Sequence, residues 1–103
     1  MPYIPKEDRQ EFNLEIDKLI DALVRVINLD ENAVYGKMNY IISSIIGGCI
    51  ANKGMRYFRL QNWIGMLECC KLELYRRVIA PYEDSAAEKN GDAYPPSLLP
   101  KSK

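Results

Sequence analysis

Apolar residues recur every three or four positions over three stretches of the chain, which is the spacing of one face of an α-helix. The first stretch is Asn13–Leu29, with Asn13 as its candidate N-cap. Its polar positions alternate acidic and basic residues at helical steps, which indicates a solvent-exposed side. Residues 2–12 lack this periodicity, so we expect an extended start or a single turn there.

The second stretch, residues 34–50, is the most apolar, and no charged residue lies between positions 38 and 52. Isoleucine is not a strong helix former, and Gly47 and Gly48 each disfavour a helix by about 1 kcal/mol relative to alanine. Packing must therefore hold this helix together, and we expect the two glycines to mark a close helix crossing. Gly54 is suited to the C-cap position.

The third stretch, Tyr57–Ile79, has an apolar surface wider than one stripe, so we expect it to contact more than one neighbour, in the same chain or in a second subunit. Pro81 should end this helix, because the residue before a proline is biased out of the helical region. A short fourth helix is predicted before Asn90-Gly91, which reads as its stop. Residues 95–103 are rich in proline and are expected to be extended or disordered.

These patterns predict an all-α protein with three main helices and a short C-terminal helix, arranged as a small helical bundle. We expect residues 1–94 to form one helical domain, since a chain of 103 residues is long enough for a single core. The second and third helices present more apolar surface than so short a chain covers easily. We therefore expect a homodimer that associates through these two helices.

Charge and cysteine content narrow the functional classes. The 14 basic and 14 acidic residues cancel, so the chain has no overall field that attracts nucleic acid or an anionic membrane. Three cysteines without a histidine fit neither a disulfide framework nor a mixed zinc site, and imidazole catalysis is excluded. No secretory signal is recognisable, and the uncharged run is shorter than the about 20 residues of a membrane-spanning helix. We expect a cytoplasmic protein with no membrane partner, no cofactor and no bound metal.

Four strings of the sequence are distinctive: the opening MPYIPKEDR, the dipeptide Asn39-Tyr40, the segment IGMLECCKLELYRRVIAPYED and the closing KNGDAY. Together they resemble a family of small uncharacterised proteins found in bacteria, archaea and phages. The resemblance runs from Met1 to Tyr94, and it departs from the family at Asn13-Leu14, where an Asp-Pro helix start is expected, and at the added PPSLLPKSK. It implies a domain of unknown function, so it transfers no catalytic residue.

The cysteines are the most conspicuous candidates for chemistry. Cys69 and Cys70 are adjacent, so on a helix their side chains point about 100° apart. They lack the spacing of a C-x-x-C redox or metal motif. Because a buried cysteine behaves as a small hydrophobic residue, we interpret both, and Cys49, as packing residues.

Two glutamates of the third helix are the candidate catalytic residues. Glu68 lies between apolar positions and is expected to be partly buried, which requires a partner such as Lys71, a tyrosine hydroxyl or an arginine. In the alternative, Glu68 and Glu73 are catalytic carboxylates of a magnesium-dependent nucleotide phosphohydrolase, a helical class that holds its metal with clustered acids. The paired E-x-x-E motifs of those enzymes are missing here. The sequence therefore favours a protein without catalytic activity.

Charged residues on either side of the predicted proline stop form a second candidate site. Glu73 has arginines at i+3 and i+4, the geometry of an exposed helical salt bridge. If the chain turns back after Pro81, the acids that follow it reach these arginines. We interpret the set as a polar clamp between the third helix and the tail helix, with a binding site as the alternative: Lys71, Arg76, Arg77, Glu83 and Asp84.

A basic and aromatic cluster lies at the start of the third helix, where the cations Lys53, Arg56 and Arg59 are interleaved with the aromatic residues Tyr57, Phe58 and Trp63. Such interleaving occurs on nucleic-acid-binding surfaces, but a few cations in a neutral chain are weak evidence. We treat Arg56 and Arg59 as weak anion-binding candidates and do not expect nucleic acid as the main partner.

The sequence favours a small non-catalytic accessory or protein-interaction protein, and it does not specify the protein partner. Two alternatives stay open at this point: the magnesium-dependent phosphohydrolase and a weak nucleic-acid-binding module.

Overall fold

A computed structural model describes residues 3–100 of the chain. These residues form helices and connecting turns, with no strand among them, so the all-α prediction of three main helices and a short C-terminal helix is confirmed. A π-helical turn, Tyr75–Ile79, joins the third helix to the fourth, and a 3-10 turn, Pro96–Leu98, follows the fourth. The α-helices are α1 (Lys6–Leu29), α2 (Ala33–Lys53), α3 (Tyr57–Leu74) and α4 (Ala80–Asn90).

The first helix begins seven residues before the predicted N-cap at Asn13. Pro5 precedes it with φ −53° and ψ 145°, and the Asp8 N–H donates to the Pro5 carbonyl oxygen at 3.0 Å. Glu7 lies in the first turn with Asp8, where carboxylates interact favourably with the helix dipole. The prediction of an extended or single-turn start up to Phe12 was therefore wrong from Lys6 onward, because proline and acidic residues start a helix without apolar periodicity.

A short connection joins α1 to α2, and the two helices contact each other. The Asp30 N–H donates to the Val26 carbonyl oxygen at 2.8 Å and closes α1. The Asp30 carboxylate accepts the Asn32 N–H at 3.2 Å, which fixes the turn before Ala33. Half-buried apolar residues lie on both helices of this hairpin, among them Leu23, Val26, Val34 and Ile41.

Glycine ends α2 as predicted. Gly54 has φ 93°, a conformation that favours glycine, and its N–H donates to the Ile50 carbonyl oxygen at 2.7 Å. The close helix crossing expected at Gly47 and Gly48 is absent from the structure of residues 3–100, since a β-carbon at either position would have no neighbour within 4 Å.

The prediction that Pro81 ends the third helix was also wrong. Ala80 is helical, with φ −60° and ψ −47°, and its N–H donates to the Tyr75 carbonyl oxygen five residues earlier. Proline has no N–H to donate, and its ring clashes with the carbonyl of the preceding turn. The wider π-helical turn accommodates the proline ring, so α4 follows without a break.

Gly91, again with φ 93°, ends α4, and its N–H donates to the Ala87 carbonyl oxygen at 2.8 Å. The Asn90-Gly91 stop is thereby confirmed. Beyond it, the Asp92 carboxylate accepts the Tyr94 N–H at 2.9 Å, and Leu99 is half-buried. The extended or disordered tail over 95–103 stays a prediction, and its last three residues lie outside the described part of the chain, as do Met1 and Pro2 at the other end.

Contacts between residues group the chain into two compact units, residues 1–66 and 67–103. The first contains the α1–α2 hairpin, and in the second the π-helical turn contacts α4. In neither unit does any described residue reach full burial. Each unit, taken by itself, therefore lacks the dry core expected of an independent domain, and the single domain over 1–94 stays a prediction.

Candidate functional site

Glu68 forms an ion pair on the surface of α3. Its Oε1 lies 3.2 Å from the Lys71 Nζ, and the Glu68 side chain is 53% exposed. We expected the Glu68 carboxylate to be more buried than this. Such burial required a neighbouring element over this position of α3, and more than half of the side chain is exposed instead. Of the partners considered for Glu68, the structure selects Lys71, and an exposed pair of this kind contributes about 0–1 kcal/mol to stability.

Glu73 is more shielded than Glu68, with 25% of its side chain exposed. Its Oε1 accepts a hydrogen bond from the Arg76 Nη2 at 2.8 Å, at the predicted i+3 spacing. This short, charge-assisted contact spans the end of α3 and the start of the π-helical turn. Within residues 3–100, no three acidic, cysteine or histidine side chains are placed to hold a metal ion together.

The predicted polar clamp does not form by folding back. The helix continues through Pro81, and in the described part of the chain neither Arg76 nor Arg77 makes an ion pair with Glu83 or Asp84. The physical reason is the π-helical turn, which keeps the backbone helical where a chain reversal was expected.

Sequence reasoning missed a groove beside α4. The groove has a volume of ≈ 480 Å³, and Glu83 and Asp84 line part of it. Gly91 ends the helix, and the residues after it supply further lining, including Tyr94 and Leu99. In the sequence, this groove is indicated by Asn90-Gly91 and by the apolar residues that come after Asp92. A glycine that ends a helix allows the chain to turn, so that the residues after it can lie beside the helix.

Arg59 has a structural role at the end of α2. Its Nη1 donates to the carbonyl oxygens of Lys53 at 2.8 Å and Gly54 at 3.2 Å. The guanidinium carbon also lies 5.2 Å from the centre of the Phe58 ring. A cation at a helix C-terminus satisfies carbonyls that have no helical partner and interacts favourably with the dipole.

Arg56 differs from Arg59, although the sequence placed them in one cluster. The Arg56 carbonyl oxygen accepts the N–H groups of Arg59 at 3.0 Å and Leu60 at 3.1 Å, which starts α3 at the predicted residue. Its side chain is exposed. Of the two weak anion candidates, Arg59 is therefore directed at the backbone and Arg56 at solvent.

The three cysteines were expected to be buried, and that expectation was wrong. Cys49, Cys69 and Cys70 are all exposed and form no disulfide. Their positions on α2 and α3 are apolar in pattern, but the described residues of this chain do not cover them.

A second cavity of ≈ 340 Å³ lies at the start of α1, lined mainly by Tyr3, Phe12 and Ile16. Arg9 is its charged residue, and the Arg9 Nε donates to the Ile4 carbonyl oxygen at 2.9 Å. Sequence reasoning missed this cavity because it placed no helix before Asn13.

The match to a known protein family covers residues 1–93 and thus all four helices. The chain belongs to the family described as Domain of unknown function (DUF6899). No curated protein and no solved structure matches it. The match to DUF6899 stops short of Tyr94 and Leu99, so part of the groove beside α4 lies beyond the family region.

None of the helices within residues 3–100 combines the length and the apolar character needed to cross a membrane.

Proposed function

We propose that this DUF6899 protein is a non-enzymatic accessory protein that acts through protein–protein contacts and assembles as a homodimer. The observation that supports this best is the exposure of its apolar helix faces. Large apolar residues of the α1–α2 hairpin remain between 37% and 53% exposed: Ile16, Leu19, Ile20, Ile27, Met38, Ile42 and Ile45.

The energy of covering these side chains is of the order that association requires. Burying the exposed half of one aliphatic side chain stabilises by about 1 kcal/mol, so the seven residues of two chains supply about 14 kcal/mol. Losing translational and rotational freedom costs about 4–15 kcal/mol. The balance is compatible with a dimer of micromolar affinity, for which about 8 kcal/mol is required.

Most of the groups that supported the two alternatives make other contacts. Glu68 is paired with Lys71, Glu73 with Arg76, and Arg59 is bonded to the backbone at the end of α2, whereas Arg56 is exposed. The proposal therefore includes neither magnesium nor nucleic acid. A cytoplasmic location in bacteria, archaea or phage-infected cells belongs to the same proposal, supported by the resemblance and by three cysteines outside any disulfide.

Sedimentation velocity on the full chain tests the proposal. Between about 1 and 100 μM, a range that brackets micromolar dissociation constants, we expect a shift from the 11.8 kDa chain to twice that mass. A cooperative, fully folded monomer over this entire range would overturn the dimer.

The absence of catalysis is tested separately with Mg²⁺ and Mn²⁺. We expect neither ion to raise the melting temperature, and no release of phosphate from a panel of nucleoside triphosphates. Metal-dependent stabilisation together with hydrolysis that is lost in Glu68→Gln would overturn the non-enzymatic part of the proposal.

A further inference from the structure

One side of α2 carries a regular apolar stripe that the described part of the chain leaves open. Its members follow one another at steps of three, four, three and four residues, the spacing of the contact positions in a coiled coil. We call them the α2 seam, and all are exposed: Tyr35, Met38, Ile42, Ile45 and Cys49.

The seam is separate from the half-buried apolar positions of α2. Val34 and Ile41 are half-buried, and α2 contacts α1, whereas the seam residues at the next positions on the helix surface are more exposed. The seam thus lies between half-buried apolar positions, with Ile46 and Ile50 on its other side, and is the more exposed part of this apolar surface.

We propose that the α2 seam packs against the α2 seam of a second copy of this chain across a twofold axis. The inference rests on the proposed homodimer and names the part of its surface that lies at the twofold axis. In a twofold contact the same patch occurs on both sides, so any charge near the axis meets a like charge. No charged residue occurs from position 38 to 52, which makes the seam compatible with its own copy.

The chemistry of the seam also argues for a second copy over a different partner. The seam residues carry no charge that would select an acidic or basic partner surface, so binding specificity depends on the shape and spacing of their side chains. Three-and-four spacing packs best against a helix with the same spacing, through side chains that interdigitate. Gly48, adjacent to the seam, has open space around it and permits a close approach of a second helix backbone.

Two lysine substitutions on one helix test the inference. Ile45→Lys places a charge in the seam, twice in the dimer. Tyr40→Lys places the same charge on the far side of α2, where Tyr40 is 73% exposed. In sedimentation velocity we expect wild type and Tyr40→Lys to dimerise alike, and Ile45→Lys to weaken dimerisation at least tenfold while its helical circular dichroism is retained.

Thiol reactivity of the unmodified protein provides a second readout that does not depend on any variant folding. Cys49 lies in the seam, and Cys69 lies on α3 in the other unit, and both are exposed in the single chain. As the protein concentration is raised through the dimerisation range, we expect the alkylation rate of Cys49 by N-ethylmaleimide to fall and that of Cys69 to stay constant.

The outcomes separate this inference from the proposed function. A wild-type monomer overturns the homodimer itself. A wild-type dimer whose Cys49 alkylation does not change with concentration, or which Ile45→Lys leaves intact, overturns the seam and keeps the homodimer. Protection of Cys49 at concentrations where sedimentation shows a monomer also overturns it, because the seam would then be covered within one chain. If Ile45→Lys fails to fold, the wild-type alkylation result decides.

Discussion

Arg59 connects two helices through hydrogen bonds rather than through a side-chain ion pair. Its guanidinium bonds to the carbonyl oxygens of Lys53 and Gly54, which are left without helical partners where α2 ends. The backbone of the same residue belongs to the first turn of α3. Arg59 therefore holds the α2–α3 turn in place. This role explains why a basic residue occurs in the first turn of α3, where acidic residues are usually favoured.

We expect Arg59→Ala to lower the free energy of unfolding by about 1–2 kcal/mol, because it removes hydrogen bonds from a charged donor to one exposed and one partly buried carbonyl. Urea denaturation followed by circular dichroism measures the change, at one fixed protein concentration so that assembly does not contribute.

Arg56→Ala is the matched control, since it removes the same charge from an exposed side chain and should alter the free energy of unfolding by less than about 0.5 kcal/mol. Equal losses in the two variants would show that net charge, and not the contact with the backbone of α2, is what matters.

At the scale of elements, the helix that runs from α3 into α4 depends on how the backbone accommodates Pro81. The Ala80 N–H reaches the Tyr75 carbonyl oxygen, so the turn before the proline is wider than an α-helical turn. This arrangement keeps the backbone helical at a residue that disfavours helix interiors by about 3 kcal/mol relative to alanine. Pro81, which the sequence predicted to end the helix, is instead accommodated by a π-helical turn.

Replacing Pro81 with alanine should let a regular α-helix form over the same residues. The new N–H at position 81 restores a helical hydrogen bond, so we expect the free energy of unfolding to rise by about 1–2 kcal/mol, after allowance for the more flexible unfolded chain. Hydrogen exchange should show a protected amide at position 81, and urea denaturation gives the stability change.

Pro5→Ala provides the contrast, because Pro5 precedes α1 and has no hydrogen bond to restore. Here only the flexibility of the unfolded chain changes, and we expect a loss of about 0.5 kcal/mol. The explanation of the π-helical turn fails if both substitutions destabilise the protein to the same extent.

The features that could be predicted from sequence are those that depend on neighbours along one helix. Three-and-four spacing located α2 and the start of α3, the glycine stops at Gly54 and Gly91 were correct, and helical geometry alone predicts the Glu73–Arg76 contact. The start of α1 was missed because the residues that begin it are charged and lack periodicity. The bonds of Arg59 depend on the path of the turn before it, which no spacing rule specifies.

For the whole molecule, stability should increase with assembly. No described residue is fully buried in the single chain, so the proposed homodimer would add much of the apolar burial that stabilises a domain. Association then adds to the stability of the folded chain, and mass action makes its apparent stability depend on protein concentration.

We therefore expect the thermal midpoint of the wild-type chain to rise steadily with concentration, since each tenfold increase adds about 1.4 kcal/mol to the free energy of a dissociating dimer. Scanning calorimetry from about 5 to 500 μM, a range spanning two such increments, measures the shift. Tyr40→Lys should follow the wild-type line, whereas Ile45→Lys should unfold at a lower temperature with little dependence on concentration. A wild-type midpoint that stays constant over this range would mean that the chain completes its own core, because only an assembled state gains stability from added protein.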